Sequence, residues 1–305
     1  MKGAHWWLLF PALGLLELGA HPLFADRAPS AERWQALRPE VARRHRPGDL
    51  VVIAPHWAEP LGRAAFGEAL MPLEAVARAD ASTFRRAVEV SILGHSSPEL
   101  DGWRLVEQTE HAGFRLRELE NPAPASPSFV FVDAIEPGRA TVFTATAEGL
   151  EPCRFSPRAR PLTGGLGGPP AFPRRRFGCG GAAVDFVGVT VIDDENYRPR
   201  RCIWAHPPAE GERLIRFEDV PLARVIRGYA GLPWLIMRDG MGTPVTLEVR
   251  VDGAPVGRVE HRDEAGWERF ELDLGRFAGG RRRVEFAVRS ERPEHRHFCF
   301  YADTR

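Results

Sequence analysis

His56-Trp57, which with Pro55 forms the loop after the apolar run Leu50-Val51-Val52-Ile53-Ala54, is the pair in this chain best suited to acid–base chemistry. Such a run between turn residues reads as a strand buried on both faces of an α/β layer. The carboxyl end of a strand like that is where open α/β sheets place their sites. Glu59, Asp80 and His95 are further groups able to take or give a proton. Yet the sequence has no GxSxG elbow, no HExxH, no P-loop and no GxGxxG opening a helix after a strand. Gly164-Gly165-Leu166-Gly167-Gly168 lies in a proline-rich stretch and reads as a flexible loop. No catalytic residue is assigned, and an enzyme acting on glycoconjugates near His56 is kept as an alternative.

A second set is aromatic and polar: Trp204, His206, Arg227, Tyr229, Trp234, His261 and Trp267. Flat sugar faces stack on aromatic rings, while arginine and histidine donate to hydroxyls. Large aromatics are also common core residues, so the set divides by position. Tyr229 and Trp234 sit beside Gly228, Gly231 and Pro233, which places them on a loop at one end of the fold, where binding residues concentrate.

Four cysteines, Cys153, Cys179, Cys202 and Cys299, all fall in the second half, and none shows zinc or redox-dithiol spacing. Three connectivities are open. The expected one is Cys153–Cys179, closing a loop rich in glycine and proline, with Cys202–Cys299 tying the first strand of a C-terminal module to its last. Disulfides fit a chain that leaves the cytoplasm. Lys2 followed by the apolar run from Trp6 to Leu16 has the form of an export signal, with cleavage after Ala20 or Ala25, or of an uncleaved anchor across residues 6–25. The expected location is the periplasm, the exterior or the outer face of the inner membrane.

The 305 residues carry 41 basic and 41 acidic groups, a balance that gives no electrostatic reason to expect nucleic acid. The runs Arg174-Arg175-Arg176 and Arg281-Arg282-Arg283 read as solvated edges. A helix is predicted over 31–46, with Trp34, Leu37 and Val41 on one side; a second helical stretch over 61–76; a strand over 88–93; and a hairpin over 103–119. Residues 121–128, rich in Pro, Ala and Ser, form the expected linker. Strands follow at 129–135, 140–147 and 183–192. From Arg200 onward alternating runs dominate: Val245-Leu247-Val249-Val251 with a turn at Asp252-Gly253, Phe270-Leu272-Leu274, Val284-Phe286-Val288 and Phe298-Phe300. The fold class is α+β in two domains. Residues 26–120 form a small α/β domain, and residues 129–305 an antiparallel β-sandwich of jelly-roll type.

Two family resemblances bear on this layout. Ala25-Asp26-Arg27, Trp34, Pro47-Gly48-Asp49-Leu50-Val51-Val52-Ile53 and Pro55 resemble the soluble extracytoplasmic region that follows the last membrane helix of multi-spanning glycosyltransferases using lipid-linked sugars. This chain lacks that family's many membrane helices and its membrane-proximal acidic residues, so the resemblance implies a domain type. Cys202-Ile203-Trp204-Ala205-His206-Pro207, Arg227-Gly228-Tyr229-Ala230-Gly231, Gly266-Trp267-Glu268 and Phe298-Cys299-Phe300 resemble a galactose-binding-like jelly roll of the kind appended to secreted glycosidases. That resemblance implies sugar or polymer recognition, and with it a structural Ca²⁺, for which Asp193, Asp194 and Glu195 are the candidate oxygen ligands. No other cofactor is expected. The functional expectation is an exported, non-enzymatic protein that binds carbohydrate or a cell-envelope component through Trp204, His206, Arg227, Tyr229, Trp234 and Trp267. The alternative is an accessory subunit of a membrane glycosyltransferase system.

Overall fold

The structure, a computed structural model, describes residues 9–24, 28–162, 171–240 and 242–305. The start of the export segment at Lys2 and Trp6, the cleavage point at Ala25, the Ala25-Asp26-Arg27 stretch and the Gly164–Gly168 loop lie outside the described residues. The chain divides into two compact units. One holds the residues through Leu70 together with Arg86–Glu120; the other holds Met71–Arg85 and Asn121–Arg305.

In the first unit the helix Ala31–Arg44 buries Trp34, Leu37 and Val41, the face its spacing predicts, and stops before Pro47-Gly48. Leu50–Ala54 is buried at every residue and pairs in parallel with Arg86–Ser91. Phe114–Glu120 and then Arg104–His111 extend this small sheet antiparallel. The single helix expected over 61–76 is two, Glu59–Phe66 and Leu73–Val76. Gly67 at φ 73° ends the first, and Pro72 precedes the second. An earlier helix, Leu9–Phe24, exposes Phe10, Leu13, Leu15, Leu16 and Leu18. Among the described residues no helix is long and apolar enough to cross a membrane.

The second unit is an antiparallel β-sandwich. One sheet runs Glu268–Asp273, Val225–Gly231, Cys299–Thr304, Pro199–Ala205, Phe186–Asp193, Arg176–Gly178 and Arg154–Ser156, with Phe129–Val130 pairing Cys299–Thr304. The other runs Ala254–His261, Val245–Val251, Gly280–Arg289, Glu212–Leu222, Ala140–Thr146 and Gly149–Pro152. The strict alternation of Val245, Leu247, Val249 and Val251 puts all four inside, against Ile226, Ala230 and Phe300 of the facing sheet. The hairpin turn at Asp252 (φ 50°) and Gly253 (φ 81°) has positive φ at both central positions, as a two-residue turn matching strand twist requires. Strands from the 129–193 stretch complete both sheets.

Three expectations change. Phe129–Ile135 is a strand only over Phe129–Val130, because the chain then turns inward through Phe131–Ala134. The Phe131 ring thereby sits 5.0 Å from Phe217 and 4.8 Å from Phe286. Asn121–Ser128 is a hydrogen-bonded strap and not a free linker: Asn121 N–H donates to Arg85 O, Ala125 N–H to Ser82 O and Ser128 N–H to Thr304 O. Met71–Arg85, read as part of the first domain, belongs to the sandwich, where Arg201 N–H donates to Ala77 O at 2.7 Å.

Candidate functional site

The expected binding residues part company in the folded chain. Trp204 is fully buried; it stacks on Phe186 at 5.4 Å and 7° and donates its Nε1–H to Val184 O at 3.0 Å. With Phe172, Cys202 and Cys299 it forms a small second core, so it has no ring face to offer a ligand, and the binding role expected for it is corrected to packing. His206 is likewise buried, its Nδ1 2.8 Å from Pro207 O and 3.6 Å from Asp185, and burial holds its pKa below the ordinary histidine value. It is corrected to a member of an interior polar cluster, and His261, wholly buried, is corrected with it. Arg227 stays on the outer face of its strand, closed onto Glu271 at 3.0 Å.

Tyr229 and Trp267 do meet, stacked at 5.9 Å and 7°. Gly228 makes room beside Tyr229, since a Cβ there would lie 2.2 Å from the Phe270 ring. Both polar handles of the stack are taken by the Met71–Arg85 segment: the Tyr229 hydroxyl donates to Asp80 Oδ2 at 2.7 Å, and Trp267 Nε1–H to Ala79 O at 3.3 Å. Arg200 reinforces this by donating to Arg78 O at 3.0 Å. Burial alone would raise the Asp80 carboxyl. The bonds from Ser82 and Tyr229 outweigh it and hold the group below the usual carboxylate range, while burial and then the Asp80 charge push the Tyr229 phenol up. This pair fastens the segment to the sheet.

Two carboxylates of the acidic run are engaged by the protein itself. Asp194 Oδ1 accepts the N–H groups of Asn196 and Arg198 at 2.9 Å each, and Oδ2 accepts Arg200 Nε at 2.8 Å, so this buried carboxylate organises its own turn. Glu195 turns elsewhere, its Oε2 taking the Trp267 N–H at 2.8 Å. Among the described residues no three His, Cys, Asp or Glu side chains could hold a metal ion. Of the three expected calcium ligands, Asp194 and Glu195 spend their oxygens on separate hydrogen bonds, while the buried Oδ2 of Asp193 has no hydrogen-bond partner among the described residues. Of the acid–base candidates, half-buried His56 lies in a single 3₁₀ turn after its strand, in the same unit as Glu59 and His95, whereas Asp80 belongs to the other unit.

What the turn at Asp194 does organise is an aromatic groove. Tyr197, at φ 58°, is 45% exposed, and its ring lies 4.7 Å from that of half-buried Trp234 at 36°. Trp234 opens the short helix Trp234–Asp239 after Pro233, and one turn later Arg238 lies over its ring at 5.2 Å. Trp234 and Arg238 line a groove of about 180 Å³ together with Glu195, Met237, Asp263 and Glu264, and Tyr197 reaches it through its contact with the Trp234 ring. Asp263 is ion-paired to the buried Arg296. Glu195 joins the groove to the Tyr229–Trp267 stack, so three of the expected residues share one neighbourhood. Tyr197, Arg238, Asp263 and Glu264 were missed. Only Arg238 carried a signal, its i+4 spacing from Trp234. A larger cleft of about 360 Å³ runs beside Asp80, Arg201 and Tyr301. There Arg201 is closed onto Asp133 at 2.7 Å and Asp80 onto Ser82 and Tyr229, so the smaller groove keeps the more available chemistry.

No protein-family model matches the chain, and no curated protein matches it. Among solved structures it is similar to the CBM51 module from Clostridium perfringens GH95 in complex with methyl-galactose, at 13% identity over 38% of this chain and 81% of that one, with a TM-score of 0.29. It is also similar to the CBM51-2 and INT domains of Clostridium perfringens ZmpB, at 11% identity over 66% of this chain and 40% of that one, with a TM-score of 0.29. A third is arabinofuranosyltransferase AftD from Mycobacteria, at 12% identity over the whole of this chain and 35% of that one, with a TM-score of 0.22. Likenesses this distant carry no weight for ligand or activity.

Proposed function

We propose that this chain is an exported, non-enzymatic carbohydrate-binding protein whose ligand lies on Trp234 and Tyr197. The observation that carries this reading is the pair of solvent-reached rings 4.7 Å apart, of which Trp234 lines a groove together with three carboxylates and an arginine. A pyranose presents an apolar C–H face to such rings, and its hydroxyls pair with the charged rim. Two disulfides support export, since such bonds persist in oxidising compartments. Calorimetry with the full chain against envelope polysaccharides, the members chosen by glycan array, tests the reading. Trp234→Ala is expected to weaken binding about 30-fold, the loss typical of a central aromatic anchor. The circular dichroism spectrum should stay unchanged. A folded wild-type chain that binds no glycan would sink the proposal.

Membrane association through residues 6–25 is supported by the helix Leu9–Phe24, rich in leucine with Leu13 66% and Leu18 73% exposed, and interrupted by one acidic residue, Glu17. The full chain is expected to sediment with vesicles, and a version starting at Pro29 to stay in the supernatant. Equal partition of the two would remove this reading, and with it the support for an accessory role beside a membrane enzyme.

A further inference from the structure

We infer that the Trp234 groove selects a sugar bearing a positive charge, a hexosamine unit with a free amine, over its neutral N-acetylated counterpart. This rests on the carbohydrate-binding reading above and names its ligand class. The first observation is that the ring already carries a cation: the Arg238 guanidinium lies 5.2 Å over the Trp234 centroid. Aromatic faces attract cations through the ring quadrupole. Arg238 is an exposed side chain on a long flexible stem, so an incoming ammonium can exchange with it, and the ring passes from one cation to another.

The second observation is the charge of the lining. Three carboxylates, Glu195, Asp263 and Glu264, face one arginine in the groove, Arg238. Buried Arg296 stands behind Asp263. Counting both arginines against the three acids still leaves one negative charge in excess. Glu195 is fixed by accepting the Trp267 N–H and the Asn196 Nδ2–H, both neutral donors that leave its charge in place. Glu264 is exposed and in no ion pair among the described residues, which makes it the group available to an ammonium. A neutral acetamide would gain the stacking and forgo the charge.

The test is calorimetry on the full chain with glucosamine oligomers and N-acetylglucosamine oligomers of equal length. The amine oligomer is expected to bind about fivefold tighter at low salt, the scale of an exposed cation–π contact with a carboxylate beside it. The advantage should shrink as salt shortens the screening length. Glu264→Gln should weaken the amine oligomer about threefold more than it weakens the acetylated one. Arg238→Gln should have the opposite sign, tightening the amine oligomer by removing the resident cation. Equal affinity for the two oligomers, lost in Trp234→Ala and insensitive to salt, would overturn the charge selection and leave carbohydrate binding standing. Tighter binding of the acetylated oligomer would overturn it too. Binding of no sugar by the folded chain would end both readings.

Discussion

Removing the Cys202–Cys299 bond, as Cys202→Ala with Cys299→Ala, is expected to cost the sandwich about 4–5 kcal/mol and lower its melting temperature by about 10 °C. The bond spans 97 residues, and a cross-link of that length removes more freedom from the unfolded chain than the 26-residue span of Cys153–Cys179, for which the same relation gives about 3.5 kcal/mol. Position adds to length. Pro199–Ala205 and Cys299–Thr304 meet through just two register pairs, Ile203 with Phe300 and Trp204 with Cys299, while Pro199–Ala205 pairs along its length with Phe186–Asp193. The disulfide thus reinforces a thin seam in the middle of its sheet, and both sulfurs are buried against Trp204. The two loops follow one another in sequence without overlapping, so the two losses should add. Urea unfolding of the two double variants decides it: equal losses, or a larger one for Cys153→Ala with Cys179→Ala, would refute the seam argument.

How much of this was legible beforehand varies with the range of the forces involved. Alternating runs such as Val245 to Val251 carry their own geometry, because one strand's period decides which side chains face in. The cysteine pairs were legible for a related reason: one cysteine near each end of the C-terminal module and one on each side of a glycine-rich loop leave one economical pairing. Met71–Arg85 was not legible. Its attachment to the sandwich depends largely on backbone carbonyls, among them those of Ala77, Arg78, Ala79 and Ser82, that any sequence would carry, and on the side chains of Asp80 and Ser82.

The site divides along the same line. Tyr229 and Trp234 were placed from neighbouring glycines and prolines, local signals for a loop. Trp204 instead lies within the strand Pro199–Ala205, where Phe186 stacks on its ring at 5.4 Å and Phe172 packs against it at 5.6 Å, contacts from residues distant in sequence. Tyr197 was missed because its position depends on Asp194 capping the turn before it, and an acidic run reads first as ligands for a cation. Carboxylates that fold back on their own backbone and carboxylates that converge on an ion have the same letters; the difference lies in φ, at 58° for Tyr197.

Acidification from pH 7 to about 4 is expected to destabilise the sandwich steeply, with the buried rings of His261 and His297 as major contributors. His261 is wholly buried, with the Phe298 ring 6.1 Å away. Burial drives its pKa down to about 4; the neighbouring Asp263 opposes that shift and Arg296 adds to it. Glu268, at 3.8 Å from Nδ1, is the other charged group facing the ring. Burial, followed by the charges of His206, His295 and Arg296, likewise pushes His297 down to about 4. In the unfolded chain these rings titrate near 6.5, so between about pH 6.5 and pH 4 the unfolded chain binds protons that the folded chain refuses. Their contribution is therefore neutral to stability above pH 6.5 and becomes a growing penalty as the pH falls, on the order of 3 kcal/mol for His261 alone at pH 4. Asp80, held below the usual carboxylate range, loses its stabilising bonds at still lower pH and acts in the same direction. His261→Leu keeps most of the side-chain volume and cannot take a proton. Urea midpoints measured from pH 7 to pH 4 should fall less in that variant than in the wild type. A wild-type midpoint that is flat over this interval, or a His261→Leu slope equal to it, would show that the ring reaches water in the folded state and that its burial does not govern the acid response.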